Sequence, residues 1–214
     1  MKQYNIKTKS RQLLADIITP VSVYLKIRDA YPNSVLLESS DYHSNENSFS
    51  FICLNPVASF IVEHNKIMRS YPDGQVDHKI IQDVPVTDEL KSFIDQFKVD
   101  QSESTLKVNG LFGYCAYDAV KYFEHIDLQN DPESSSVIPD IYYQLYKFVI
   151  AINHHKNELT IIENLFETDE SAIDRIEELI YNRNFATYQF SKVGEEKTPL
   201  SDEQFLDIIK KGKD

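Results

Sequence analysis

The 214-residue sequence predicts an α+β fold, and three observations carry that prediction. Five or more segments read as antiparallel strands, and apolar residues recur at period 3.6 in three or four others. The strand-like segments come in runs and do not alternate strictly with helices, which argues against a parallel βαβ architecture. Polar or Pro-rich stretches separate them.

"DIITPVSVYLKIRDAYPNS" spaces Tyr24, Ile27 and Tyr31 at i, i+3 and i+7, with Pro20 suited to a first turn and Pro32 closing the segment, so a helix is expected. "SVLLESS", "SFSFICL", "PVASFIVEH" and "KIMRSYPDG" read as four strands of an antiparallel meander, and Pro72-Asp73-Gly74 makes a tight turn. "TDELKSFIDQFKVD" places Leu90, Phe93, Ile94 and Phe97 on one helical face, with Thr87 or Asp88 available as cap. "QSESTLKVN" reads as a polar loop, and "GLFGYCAYDAVKYFE" begins as a strand in which Gly110 and Gly113 suggest a bend or close backbone approach. After the polar "DLQNDPESSSVIPD" comes the longest strand, "IYYQLYKFVIAIN", joined through the turn "HHKN" to "ELTIIENL" as a hairpin. Ile173, Ile176 and Ile180 give a helix that covers the sheet, and Ser201 with Gln204 forms a capping-box pattern before the apolar stripe Phe205, Ile208 and Ile209.

Composition narrows the function. Thirty-four Asp and Glu stand against 22 Lys and Arg, a net charge of -12 spread along the chain, which disfavours binding to nucleic acid phosphates or anionic lipid. No apolar run reaches the roughly 18 residues of a membrane span, and the N-terminal segment lacks the apolar core of a secretion signal, so a cytoplasmic location is expected. Cys53 and Cys115 lie in apolar strand-like surroundings and read as small buried hydrophobes. None of the six histidines has metal-ligand spacing, and the adjacent His154 and His155 read as turn residues. "GLFGY" is not a phosphate-binding loop, and no serine stands in a nucleophile elbow. No self-contained catalytic centre is visible.

Two stretches carry more chemistry than scaffold requires. Asp118, Lys121 and Glu124 surround aromatic residues where a strand gives way to a helical turn; Asp118 reads as the turn's cap with the other two on its solvated face. In "LLESSD" a strand end carries Glu38, Ser39 and Ser40. It is either a strand running out into solvent or a polar rim that would hold an ammonium, or the amine and carboxylate of an amino acid.

"LLES" at 36 to 39, "SFSFICLNP" at 48 to 56, "GLFGYCAYDAVKYFE" at 110 to 124 and "IPD" at 138 to 140 occur in an order that resembles the N-terminal region of anthranilate synthase component I. The resemblance covers essentially the whole chain. It implies sheets packed face to face with helices outside, a regulatory domain over residues 1–200, and at 201–214 the start of a helix leading into a catalytic chorismate-binding region. It further implies that the full-length enzyme, a lyase of tryptophan biosynthesis, converts chorismate and ammonia from glutamine into anthranilate and pyruvate. Magnesium and a glutamine amidotransferase subunit, component II, serve that full-length enzyme, while residues 1–214 alone are implied to be inactive and to hold no cofactor. By the same resemblance Leu37, Glu38 and Ser39 form part of a feedback site for L-tryptophan: Glu38 takes the amino group, Ser39 a polar group, and Leu37 touches the indole. The chain departs from the pattern at Ser48, where many members carry an Arg, and Lys121 stands where Arg is commoner. Two other readings fit the residues: the similar region of aminodeoxychorismate synthase component I, and a stand-alone non-catalytic binding or interaction protein.

Overall fold

The structure, a computed structural model, describes residues 2–38, 48–81, 84–104, 106–124, 126, 138–167, 169–183, 189–195 and 198–213. The fold is α+β, as the sequence predicts. Its strands are β1 (Tyr4–Leu14), β2 (Val35–Leu37), β3 (Phe49–Glu63), β4 (Lys66–Ser70), β5 (Val76–Ile80), β6 (Phe97–Glu103), β7 (Phe112–Cys115), β8 (Ile141–Asn153) and β9 (Glu158–Leu165). The helices are α1 (Pro20–Ile27), α2 (Val86–Ile94), α3 (Ile173–Tyr181) and α4 (Asp202–Lys211), with a 3₁₀ turn over Tyr117–Tyr122.

All nine strands hydrogen-bond into one sheet, ordered β5-β4-β3-β8-β9-β1-β6, with β2 also on β3 and β7 also on β8. Its spine is the long antiparallel β3–β8 ladder. β2 and β4 share one edge of that spine, and β7 and β9 share the other, so the sheet divides into two wings. Phe51 pairs with Ala151 of β8 and Phe112 with Gln144. Seven residues of strand span roughly 23 Å. Yet the Phe51 and Phe112 rings lie 5.6 Å apart, which requires the wings to fold toward each other. The expected face-to-face packing thus occurs between two parts of one continuous sheet. Between them lie Cys53, Tyr146, Val149 and Ile162, with Leu106 and Val108 from the loop before β7.

Several elements differ from the sequence-based expectation. "SFSFICL" and "PVASFIVEH" are a single strand, because a register shift between Pro56 and Ala58, preceded by Asn55 in a left-handed conformation (φ 56°), accommodates the proline's missing N–H without ending the ladder. The N-terminal segment is β1: Tyr4, Ile6 and Thr8 are buried while Asn5 and Lys7 between them face solvent, a period-two pattern that its many polar residues disguise. "FKVDQSE", expected as helix end and loop, is β6, and it runs parallel to β1 in an otherwise antiparallel sheet. Phe97 leaves the helix because it stacks on Tyr4 at 5.6 Å and meets Phe93 edge-on at 5.1 Å. β5 extends the meander by one strand beyond the turn at Gly74, whose φ of 80° is the left-handed conformation glycine permits. Much of the polar stretch before β8, 127–137, lies outside the described residues.

Caps differ too. α1 begins at Pro20 as expected, and Thr19 with Ser22 forms a capping box. α2 is preceded by Pro85 with no side-chain cap, so neither Thr87 nor Asp88 has that role; burial of Val86 pulls the first turn forward, leaving Asp88 and Glu89 inside it. Likewise Ala116 is the cap of the 3₁₀ turn and Asp118 lies within its first turn. α3 lacks a cap of its own, but the buried Glu163 of β9 supplies one: its carboxylate accepts from Ala172 N at 2.9 Å and from Ser171 Oγ at 2.6 Å. α1 and α3 cover one wing through Val23, Ile27, Ile176 and Ile180, while Phe93 of α2 fills the core of the other. α4 has the expected capping box and an exposed stripe of Phe205, Leu206, Ile208 and Ile209.

Candidate effector site

β2 is short because it has only three residues of ladder, Val35, Leu36 and Leu37, opposite Cys53, Ile52 and Phe51. Leu36 faces the core beneath α1 and α3, whereas Val35 belongs to the apolar layer between the wings. Leu37, opposite Phe51, shares that second face and is 36% exposed. Glu38 is the first residue past the ladder and is exposed. Ser39, Ser40 and Asp41 lie outside the described residues. Around Leu37 the strand neighbours are aromatic: Phe49 and Phe51 stack at 6.0 Å with an interplanar angle of 16°, and Phe51 meets Phe112. Ser48 accepts a backbone hydrogen bond at its carbonyl from His154 N at 3.0 Å, and Ser50 Oγ is 2.7 Å from His154 Nε2. These contacts tie the turn after β8 to the start of β3.

Phe112 leads into the second stretch singled out in the sequence. Gly113 is where β7 meets β8 most closely, since a Cβ there would lie 1.8 Å from the carbonyl oxygen of Tyr142. Gly110 has no such neighbour. Beyond β7, Ala116 N donates to Asp140 O at 2.8 Å, Tyr122 Oη donates to Asp140 Oδ2 at 2.6 Å and Lys121 Nζ lies 3.1 Å from the same oxygen. Burial, together with the bond to Asp140, pushes the Tyr122 hydroxyl pKa well above its ordinary value. The stretch is thereby anchored at Asp140, while Tyr117 and Phe123 remain exposed. Lys121 is an anchor and not merely a solvated face.

The cysteines part company. Cys53 is buried, and burial pushes its thiol pKa strongly up. Cys115 is exposed, contrary to expectation, because β7 is short and its last residue reaches the rim of the wing, where Sγ lies 3.2 Å from Tyr143 Oη. That contact and burial push the Tyr143 hydroxyl up to about 12.

Polar networks elsewhere are structural. Arg69 donates to Glu89 Oε2 at 2.6 Å and in fork geometry to Asp77, tying α2 to β4 and β5. Buried Thr8 and Asn164 hold Asn109, and with it the loop before β7. An open, mainly apolar groove of about 420 Å³ is lined by Leu90, Phe97, Leu111 and Tyr143 among others; neither Leu37 nor Glu38 lines it. Among the described residues no group of three or more His, Cys, Asp or Glu is placed to hold a metal ion. No helix among them is long and apolar enough to cross a membrane.

Compared with known families, residues 33–214 match the model of the chorismate binding enzymes, a span that takes in the Leu37–Glu38 strand end, the spine and the anchored stretch after β7. The chain belongs to the chorismate binding enzyme family. Within it, the chain is similar to anthranilate synthase component 1 of Lactococcus lactis subsp. lactis (strain IL1403), at 31% identity over 159 residues, 73% of this chain and 32% of that protein. Anthranilate synthase component 1 of Acinetobacter calcoaceticus is 33% identical over 180 residues, 80% of this chain and 35% of that protein. The crystal structure of anthranilate synthase component I from Streptococcus pneumoniae TIGR4 shares 22% identity at a TM-score of 0.44, over 78% of this chain and 34% of that one. The chain thus spans about a third of the length of these relatives. The resemblance to anthranilate synthase component I seen in the ordered motifs is borne out by the family match and the two relatives of 31% and 33% identity.

Proposed function

We propose that the chain is the N-terminal, tryptophan-sensing part of an anthranilate synthase component I. The observation that carries this reading is the family match over 33–214, joined to relatives more than twice as long that are themselves anthranilate synthase components. In this reading residues 1–200 form the regulatory domain and residues 201–214 begin the helix that leads into the catalytic region. Chorismate and ammonia from glutamine become anthranilate and pyruvate in that region, with magnesium and a glutamine amidotransferase subunit. No step of the chemistry is assigned to residues of this chain. Its task is to bind L-tryptophan at Leu37, Glu38 and Ser39 and to bias the whole toward an inactive arrangement. Such a bias is only as large as the ligand's preference for that arrangement.

The test is a chorismate-to-anthranilate assay on the full-length protein and on residues 1–214, with ammonia, magnesium and increasing tryptophan. Turnover is expected only from the full-length protein, and Glu38→Ala and Ser39→Phe are expected to raise the tryptophan concentration giving half inhibition. Turnover by residues 1–214 alone would overturn the division of labour. Unchanged inhibition in both variants would remove the effector assignment.

A further inference from the structure

We propose that Asn109 is a site of spontaneous deamidation, that its bonds to the buried Thr8 and Asn164 set the rate of that reaction, and that the product releases the loop before β7. Asn109-Gly110 is the single Asn-Gly pair in the sequence, and Asn109 lies outside any helix or strand. In such a pair the Gly110 backbone nitrogen attacks Cγ of the Asn109 side chain, and a new C–N bond closes a succinimide ring. The Cγ–Nδ2 bond breaks, and ammonia leaves with the proton that the Gly110 nitrogen gives up. Water then opens the ring at either carbonyl, leaving an aspartate or an isoaspartate. Glycine, having no Cβ, offers the least hindered nitrogen for this closure. Gly110 is also exposed, and a Cβ built on it would meet nothing within 4 Å, so the space beside the reacting bond is open.

The carboxamide is restrained where the reaction needs it free. Its Nδ2 donates to Asn164 Oδ1 at 2.6 Å and to Thr8 Oγ1 at 3.2 Å, and its Oδ1 accepts from Asn164 Nδ2 at 3.4 Å. Thr8 and Asn164 are 1% and 0% exposed, so buried partners hold both ends of the group. Cγ is free to meet the Gly110 nitrogen when these bonds open, and the opening equilibrium sets the rate. The product cannot restore the lock. A carboxylate only accepts hydrogen bonds, and it would face Asn164 Oδ1, another acceptor. Thr8 Oγ1 has one proton and donates it to Asn164 Oδ1 at 3.1 Å, so turning it to the carboxylate would strip that oxygen of its second donor as well. Asn164 cannot reverse its amide without giving up the bond from Nδ2 to Tyr146 O at 2.9 Å. Leu106 and Val108, packed between the wings, belong to the loop that this lock holds, so deamidation loosens the layer there.

Peptide mapping by mass spectrometry of the full-length protein, aged in warm, mildly alkaline buffer, tests this in wild type, Thr8→Val and Gly110→Ala. Thr8→Val keeps the branched shape but accepts no hydrogen bond. It should speed conversion at Asn109 by about two- to ten-fold, the weight of one net hydrogen bond on the opening equilibrium. Gly110→Ala, for which there is space, should slow conversion and leave the fold unchanged. Asn109→Asp, which reproduces one product, should speed amide hydrogen exchange in the loop and in β7. Should Thr8→Val fail to fold, wild type aged in native buffer and in concentrated urea serves instead, and conversion must be faster in urea. An Asn109 that stays intact in both media overturns the site, as does conversion that Gly110→Ala does not slow. Conversion as fast in native buffer as in urea, or no faster in folded Thr8→Val than in wild type, overturns the lock. Wild-type exchange in Asn109→Asp overturns the release of the loop.

Discussion

Replacing Gly113 by alanine tests how the second wing is held together. The new methyl would lie 1.8 Å from the Tyr142 carbonyl oxygen, 2.8 Å from its carbon and 3.0 Å from Tyr143 Cα, all backbone atoms of β8 that no rotamer change can clear. Restoring ordinary contact needs β7 to retreat by about 1.6 Å, which would stretch hydrogen bonds normally near 2.9 Å beyond their useful range. The ladder at risk joins Phe112, Gly113, Tyr114 and Cys115 to Gln144, Tyr143, Tyr142 and Ile141. The φ of 157° adds strain, because side chains rarely adopt it. Overpacking and backbone strain together give an expected loss of about 3–5 kcal/mol. For a domain of this size that is a fall in Tm on the order of 10 °C. Thermal unfolding followed by circular dichroism measures it, and amide hydrogen exchange at β7 and its partners on β8 detects a local detachment that leaves the rest folded. A variant with wild-type Tm and wild-type exchange at these residues would show that β7 does not rely on the close approach.

Other perturbations address the remaining joints. Glu163→Ala removes the carboxylate that caps α3 from β9 and should cost about 2–4 kcal/mol in urea unfolding, whereas Ser171→Ala should cost about 1. Equal losses in the two would show that the backbone bond from Ala172 adds nothing to the cap. Arg69→Met strands the buried Glu89 with only Lys79 and should destabilise by about 2–4 kcal/mol, while adding Glu89→Leu should recover part of that loss; a double variant worse than the single would refute it. The hydroxyls of Tyr4 and Tyr143 are pushed up to about 12, in Tyr4 chiefly by burial and in Tyr143 chiefly by its bond with Cys115. A raised pKa means that the folded state favours the neutral hydroxyl. Their contribution to stability is therefore complete below about pH 10 and is lost as pH rises toward 12. Denaturant midpoints at pH 8 and pH 11 should diverge in wild type and diverge less in Tyr143→Phe.

Local patterns were legible in the sequence. Apolar, β-branched and aromatic runs marked most of β2, β3, β4, β7, β8 and β9, and helical spacing marked all four helices, because each signal sits within a few consecutive residues. The "LLES" strand end and the stretch after Gly113 also stood out, since acids and hydroxyls next to apolar runs are visible without a fold. What escaped depends on partners far along the chain. β1 and β6 are polar enough to look like a tail and a loop; β6 is a strand because β1 lies beside it, with Phe97 on Tyr4, and β1 because it also pairs with β9 on its other side. Glu163 is an ordinary strand residue until folding brings it to α3. Leu37, Glu38 and Ser39 are proposed as an effector site on the family resemblance alone; Leu37 and Glu38 lie at the end of β2, and Ser39 is outside the described residues. The neighbours of Leu37 could not be named from sequence, for only the folding together of the two wings brings Phe112 against Phe51, across 61 positions of chain that no local periodicity spans.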